Sequence, residues 1–376
     1  MLIYTQGQLT GRQLRFSALY GSKSNLHKQF CGNARRKGAL APYYATKGTR
    51  HLTNAAKVSI PVAVSVGQGR GEAAIDFGDR SEAAVLKALW SFAEAQGMVA
   101  NCSAASILSA FEVGFNVQFD PSERRFRQKL LFTLLDDLGC VFYDDYPLEK
   151  VEHLVGVPIS EVKHLSFPVQ IAVLDALFKP YLQRADCDQI IKIAGTHREK
   201  ALRRTEVICD EVTLIRDKFF ERRETCTVSL VGVSGLQAKI LMNRGFDIVA
   251  WDRDPEYVGV VLHPDVIVGY ADTVEEQLHG ADVLLISGMT IGNNTLPEIL
   301  RAASERGIPS ACWAVTASSI APLFRTIGLT SAICEGFPPY FLPGETHLKL
   351  FRNDVMRRLL ATSHDREKGW SDGDSD

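Results

Sequence analysis

The sequence lacks most of the features that would assign it to a specialised class of protein. It has no run of eighteen apolar residues, so no membrane span is expected. Its eight cysteines contain no C-x-x-C pair, which disfavours both a structural zinc ion and a disulfide framework. It also has no H-x-x-x-H, H-E-x-x-H or P-loop motif, so the sequence predicts no metal site. We therefore expect a cytoplasmic protein with reduced thiols.

Acidic residues are missing from one part of the chain only. The formal net charge is -2, which gives the whole molecule no general attraction to nucleic acid or to an anionic membrane. The first acidic residue, however, is Glu72, and eleven lysines and arginines precede it. This segment, 1–70, is interpreted as a basic lobe beside an anionic ligand. A flexible or wrongly assigned start, an organelle transit peptide and a nucleic-acid-binding surface are the alternatives.

Helices and strands alternate irregularly in the first half of the chain. "SEAAVLKALWSFAEAQG", at 81–97, has a serine cap, an apolar stripe and a terminal glycine, which predicts a helix. Helices are also predicted at 103–114 and 123–139, and strands at 115–120 and 140–145. From 165 to 224 the chain is predicted to be mostly helical, with a buried helix in "FPVQIAVLDALFKPYL". An amphipathic helix with a stripe at Ile208, Val212, Ile215 and Phe219 follows.

From residue 226 onwards, short apolar strands alternate regularly with helices. Examples are the strand "TVSLVGV", the helix "GLQAKILMNRG" and the strand "FDIVAWD". This alternation predicts a parallel, doubly wound sheet. The predicted fold class is α/β: a C-terminal Rossmann-like sheet, an N-terminal α+β lobe and a helical connector. The predicted boundaries are 1–70 for the basic segment, 71–164 for the lobe, 165–225 for the connector, 226–350 for the Rossmann-like domain and 351–376 for a polar tail.

The turn after the first strand of this domain is a candidate cofactor site. Ligands of doubly wound sheets lie beyond the carboxyl ends of the strands, at the switch in strand order. The usual G-x-G-x-x-G is absent, and only Gly232 and Gly235 flank Ser234 in this turn. Small residues there also suit a tight turn that binds nothing. Asp252 ends the next strand, where a carboxylate can bind the ribose of an adenosine, and Gly288 follows a later strand.

Two further polar turns are predicted to face the same crevice. "SGMTIGNNTL" contains Thr290, Asn293 and Asn294, and "AVTASS" contains Thr316 and Ser318. These five residues are the predicted substrate ligands, although helix capping explains some of them equally well. No residue stands out as a catalytic base or nucleophile, so the catalytic residues stay unassigned.

Several of these segments resemble one known family. "LVGVSG", "VAWDRDPE", "ADVLLISGMTIGNNTLPEIL", "VTASS" and the helix "FPVQIAVLDAL" are similar to the Rossmann-like proteins of the heavy-metal chelation family. The resemblance covers roughly 165–345. It implies a small N-terminal lobe joined to a Rossmann-like domain, with a ligand in the cleft between them.

The leading functional hypothesis is an enzyme of small-molecule biosynthesis with a specialised, amino-acid-derived or metal-chelating product. S-adenosylmethionine and NAD(P) are the two cofactors considered, and the sequence does not choose between methyl or aminocarboxypropyl transfer and hydride transfer. The alternative is a non-catalytic protein that binds a metal chelate or an anionic metabolite. A small-molecule ligand is the expected partner, with no membrane and no nucleic acid, and a homodimer is left open.

Overall fold

An N-terminal lobe carries a small antiparallel sheet. The computed structural model describes residues 75, 77, 81–117, 126–143, 147–185, 187–220, 225–271 and 273–368, so the predicted basic segment 1–70 lies outside the described residues. The three strands, in the spatial order β1-β2-β3, are β1 (Ser109–Val117), β2 (Phe126–Leu134) and β3 (Leu138–Phe142). The helical elements are α1 (Glu82–Ala95), α2 (Met98–Asn101), α3 (Val151–Leu154) and the 3-10 helix η1 (Ile159–His164).

Two helices predicted for this lobe are strands instead. The segment 103–114 leads into β1, and most of 123–139 forms β2 and the turn to β3. The physical reason is that both faces of β2 are covered. Leu131 belongs to the main core, whereas Leu130 and Phe132 pack in a second cluster on the opposite face. A strand that is buried on both faces has no alternating pattern, so its apolar run resembles a buried helix.

The second half of the chain forms a nine-stranded, mostly parallel sheet with helices on both faces, as the sequence predicts. The strand order is β4-β12-β11-β10-β9-β5-β6-β8-β7. The parallel strands are β5 (Cys226–Val231), β6 (Phe246–Trp251), β8 (Val266–Gly269), β9 (Val283–Ser287), β10 (Ser310–Ala314) and β11 (Ser331–Glu335). Three strands, which the sequence patterns did not reveal, pair antiparallel: the edge strands β4 (Gln189–Ile193) and β7 (Val261–His263), and β12 (Thr346–Arg352), which lies between β4 and β11.

Two long helices cover opposite faces of this sheet. The predicted buried helix is α4 (Phe167–Arg184), whose residues from 169 to 178 are all buried. The predicted amphipathic helix is α5 (His197–Phe219), which begins at a capping box of Thr196 and Glu199. The remaining helices are α6 (Gly235–Asn243), α7 (Val274–Leu278), α8 (Met289–Gly292), α9 (Leu296–Arg306), the 3-10 helix η2 (Ala321–Ile327) and α10 (Asp354–Lys368). None of the described helices is long and apolar enough to cross a membrane.

The domain boundaries stay a prediction, and the structure adds detail to two of the segments. The predicted connector contains β4, a strand of the main sheet, and the predicted polar tail contains α10.

The lobe and the sheet meet through α4 and α8 with very little space between backbones. A Cβ atom on Gly139 of β3 would lie 1.9 Å from the carbonyl oxygen of Ala172 on α4. A Cβ atom on Gly292 of α8 would lie 2.0 Å from the carbonyl oxygen of Phe142 on β3. One core cluster accordingly runs from the lobe through α4 into one face of the main sheet. Both glycines are therefore required by this contact.

We expect the substitution Gly292→Ala to lower the free energy of unfolding by about 1–3 kcal/mol, because the added methyl group forces β3 and α8 apart. Urea denaturation measures this change. Gly114→Ala is the matched control, since nothing lies within 4 Å of a Cβ atom there, and its stability should not fall. Equal stability of the two variants would contradict the close contact.

Candidate functional site

The carboxyl ends of the parallel strands form the edge at which a site is expected. The strand order reverses between β5 and β9, which are adjacent in the sheet but separated by β6, β7 and β8 along the chain. The loops after β5, β9, β10 and β11 all leave from this edge, because these strands are parallel. Most of the predicted cofactor and substrate residues belong to the first three of these loops, and Asp252 follows β6 at the same edge.

Two of the predicted cofactor glycines are explained by contacts within the protein. Gly232 has a φ of 78°, which favours glycine, and a Cβ atom on it would lie 2.6 Å from the Cβ of Ser287. A Cβ atom on Gly288 would lie 2.7 Å from the Cα of Ala314. At Gly235 the nearest atom to an added Cβ is 3.6 Å away, on Leu262, so a larger residue fits there. The glycines therefore indicate tight packing of β5, β9 and β10.

Asp252 holds the turn after β5. Its Oδ2 accepts a hydrogen bond from the backbone N–H of Val233 at 3.0 Å, and its Oδ1 accepts one from Asp254 at 3.0 Å. Burial, the largest effect, raises the pKa of Asp252 above its usual value. A ribose would have to share oxygens that already accept these bonds, which an ionised carboxylate with two oxygens allows.

The first turn of α6 contains a feature that the sequence analysis missed. Gln237 is fully buried, and neither polar atom of its side chain has a hydrogen-bond partner among the described residues. Helical side chains tilt towards the amino end of their helix, which places this amide on the side of Ser234. Ser234 is the residue before the helix, and its side chain makes no capping bond. In the sequence, this feature is indicated only by a polar glutamine between the apolar residues Leu236 and Ala238.

The polar side chains after β9 mainly stabilise their own turn. The hydroxyl of Thr290 donates to the carbonyl oxygen of Ser287 at 2.6 Å. The Oδ1 of Asn293 accepts from the hydroxyl of Thr295 at 2.7 Å. Asn294 has a φ of 54°, a left-handed conformation that asparagine adopts more readily than most residues. These contacts give Thr290 and Asn293 a role within the turn itself, although neither side chain caps α8 or α9.

The loop after β10, residues 315–320, is bonded directly to the lobe. Ala317, at a φ of 51°, donates its backbone N–H to the carbonyl oxygen of Cys140 on β3 at 2.6 Å. Thr316 and Ser318 are buried on either side of it. The two predicted substrate residues of this loop therefore lie where the lobe meets the sheet.

Asp175 of α4 connects the lobe to this loop. It is 1% exposed, and its two oxygens accept from the backbone N–H groups of Cys140 at 3.0 Å and Ser319 at 2.8 Å. Burial raises the pKa of Asp175, and the charge of Lys179 together with these hydrogen bonds opposes that rise. A single carboxylate thus holds β3 and the loop 315–320 on one helix.

A pocket opens beside Asp175, between the lobe and the carboxyl ends of β10 and β11. It contains about 350 Å³ of empty space, part of it open to solvent. Its apolar wall consists of Leu130, Phe132, Leu138, Val315, Phe337, Pro339 and Phe341. The rest of its lining consists of Cys140, Asp175, Lys179, Ser318 and Gly336. We call this space the inter-lobe pocket.

The polar residues of the inter-lobe pocket converge at one end. Asp175 and Lys179 lie one helical turn apart on α4, and the bond from Ser319 to Asp175 brings the neighbouring Ser318 to the same place. The Lys179 ammonium donates to the carbonyl oxygen of Leu138. No hydrogen bond of the Ser318 hydroxyl is found within the described part of the chain, and the buried hydroxyl of the neighbouring Ser319 has no partner there. The pocket therefore has apolar walls and a polar end.

Two residues of α5 hold the loop after β11, which forms one wall of this pocket. The fully buried Lys200 donates to the carbonyl oxygens of Leu342 and of Gly344, the latter at 2.9 Å. Arg204 forms a buried ion pair with Glu335 at 2.5 Å, and its guanidinium lies 4.6 Å from the ring centre of Tyr340. The other side chains of the loop, at 337, 339 and 341, are left to face the pocket.

No group of three or more metal-ligating side chains exists among the described residues. The thiol of Cys140 is buried, which raises its pKa well above the usual range, so it is not a thiolate at neutral pH.

Comparison with known proteins gives only distant similarities. No protein-family model matches the chain, and no curated protein sequence matches it. Among solved structures, a DUF364-family protein of unknown function from Desulfitobacterium hafniense is 12% identical, covering 70% of this chain and 98% of that one, with a TM-score of 0.41. A DUF364-family protein from Pyrococcus horikoshii is 14% identical, covering 70% and 99%, with a TM-score of 0.39. Sphingosine-1-phosphate lyase from Burkholderia pseudomallei is 16% identical, covering 50% and 44%, with a TM-score of 0.28. These similarities are too low to assign a family or a function.

We expect the stability advantage of the wild type over the Asp175→Asn variant to shrink as the pH rises from about 4 to about 7. The pKa of Asp175 is higher in the folded state than in the unfolded state. Protonation of Asp175 therefore stabilises the fold below the unfolded-state pKa, and this stabilisation is lost as the pH rises through the folded-state pKa. Asparagine does not titrate, which makes it the reference. Urea denaturation at several pH values measures the difference. An advantage that grows with pH would mean that the hydrogen bonds from Cys140 and Ser319 outweigh burial.

Proposed function

We propose that this protein binds a small organic molecule in the inter-lobe pocket. The observation that carries this proposal is the division of the pocket into apolar, aromatic walls and one end with a few polar groups. Ligand sites are typically concave and mostly apolar, with a small number of convergent polar groups that fix the orientation of the ligand.

The aromatic residues at the pocket support binding of a flat molecule. Phe132 stacks on Phe111 with ring centres 5.0 Å apart, so its orientation is fixed. Phe337 meets Phe132 edge-on at 6.3 Å but is 54% exposed. An exposed ring beside a fixed one can pack on a ligand and thereby lose its contact with water, which favours binding.

The titratable groups of the pocket support binding rather than covalent chemistry. The Cys140 thiol is protonated because burial raises its pKa, and a thiol is a poor nucleophile. The oxygens of Asp175 already accept two backbone hydrogen bonds. Both residues therefore serve to shape the pocket.

A thermal-shift screen of small molecules tests this proposal, because a ligand that binds only the folded state raises the melting temperature. We expect at least one compound to stabilise the wild type and to lose about tenfold in affinity, or about 1.4 kcal/mol, in Phe337→Ala. Leu108→Ala is the matched control, since Leu108 is also 54% exposed and does not line the pocket. A loss of affinity equal in both variants would place the ligand elsewhere.

The second candidate function is an enzyme of small-molecule biosynthesis with an adenosine-containing cofactor at the turn after β5. The observation that favours it is the buried amide of Gln237, which has no partner in the described structure, beside the uncapped Ser234. The free N–H groups at the start of α6 suit an anionic group. The packing roles of Gly232 and Gly288 reduce the support for this candidate, and the biosynthetic product class stays a prediction from the sequence.

For this second candidate, we expect S-adenosylmethionine or a nicotinamide dinucleotide to raise the melting temperature of the wild type. Asp252→Ala should abolish that rise, because the ribose loses its carboxylate partner. The melting temperature of the variant without ligand is the control, because it shows whether losing the hydrogen bonds of Asp252 destabilises the turn itself. A full rise in the variant would exclude Asp252 as the ribose ligand, and no rise in the wild type would exclude the candidate.

A further inference from the structure

We propose that the ligand of the inter-lobe pocket is a small carboxylic acid with a planar apolar body, whose carboxylate is bound by Lys179 and Ser318. This inference rests on the proposed function and adds the chemical class of the ligand.

Donor groups at the polar end of the pocket have unused hydrogen-bonding capacity. An ammonium group has three N–H donors, and Lys179 uses one of them on the carbonyl oxygen of Leu138. Within the described residues no carboxylate lies within 4.0 Å of this ammonium, and the hydroxyl of Ser318 is not hydrogen-bonded. Two N–H groups and one hydroxyl are therefore left to face the pocket.

The acceptor oxygens at the same end of the pocket already receive hydrogen bonds. Asp175 is the one acidic side chain of the lining, and each of its oxygens accepts a backbone N–H. Its position is fixed from two sides, so it cannot turn towards a cationic ligand without breaking a bond that holds β3 or the loop 315–320. The polar end consequently offers donors to a ligand, whereas an amine or ammonium ligand would lie beside the charge of Lys179 and would have to share oxygens that already accept a backbone N–H.

The charge of Lys179 favours an anionic ligand. Lys179 is half-buried, and a partly desolvated cation is stabilised by an anion that it can reach. A carboxylate accepts from both donors at once, and hydrogen bonds between charged groups are about twice as strong as neutral ones. A neutral carbonyl accepts from the same donors but adds no opposite charge beside Lys179, which interacts with Asp175 without forming an ion pair in the described structure, and this is why we commit to an acid.

The walls of the pocket determine what the rest of the ligand can be. The walls beyond the polar end are apolar, and three of their residues are phenylalanines, at positions 132, 337 and 341. Because they leave no hydrogen-bonding side chain for a second polar group, the body of the ligand must be apolar. Aromatic rings stack best on planar bodies.

Benzoate and benzamide distinguish these possibilities, because they share a planar body and differ in charge. We expect the wild type to bind benzoate at least about tenfold more tightly than benzamide, as measured by calorimetry at constant ionic strength. Lys179→Met should remove this preference, and Lys179→Arg should keep most of it. Lys87→Met is the control, since Lys87 is exposed on α1, away from the pocket, and it should behave as the wild type.

Two outcomes would overturn the inference. Equal affinity for benzoate and benzamide, or a preference that survives Lys179→Met, would show that the carboxylate is not bound by Lys179, while the proposed pocket would stand. Failure of every acid in a panel of aromatic and aliphatic carboxylates would exclude the class. A different result would contradict the proposed function itself: no compound, whatever its charge, loses affinity in the Phe337→Ala variant alone.

Discussion

The buried carboxylate of Asp175 is the interaction on which the arrangement of this protein depends. It accepts one backbone N–H from β3 in the lobe and one from the loop that follows β10. Removing it would leave two buried N–H groups without partners, which is costly in a protein interior. Because Lys179 lies one turn further along the same helix and Ser318 precedes the bonded Ser319, this one contact also positions the polar end of the pocket.

This constraint moves the best-supported site away from the place where a Rossmann-like sheet usually binds its ligand. At the switch between β5 and β9, Gly232 and Gly288 are required by their neighbours Ser287 and Ala314. Asp252 accepts hydrogen bonds from the backbone of the turn after β5 and of the turn that follows β6. The space with spare donors lies further along the edge, at β10 and β11, where the lobe covers the sheet. A familiar fold therefore does not by itself locate its functional site.

The parallel strands were predictable because each is a short apolar segment, and four of the six are followed by a helix. The strand β2 was not, because Leu130 and Leu131 are buried on opposite faces and the alternation of a strand is lost. Asp175 was missed for another reason. It stands alone in an apolar helix, and its partners are 35 and 144 residues away along the chain. Pairing over such separations follows from tertiary packing, which local patterns do not contain.

The close approach at Gly139 and Gly292 has a mechanical consequence. At both points one backbone rests on another, with no side chain between them that could rotate aside. Packed backbones of this kind resist sliding, since even a small shift produces overlap. The lobe, α4 and the central sheet should consequently move as one rigid body. Conformational changes of the pocket should then be confined to its rim, which contains the solvent-exposed Phe337.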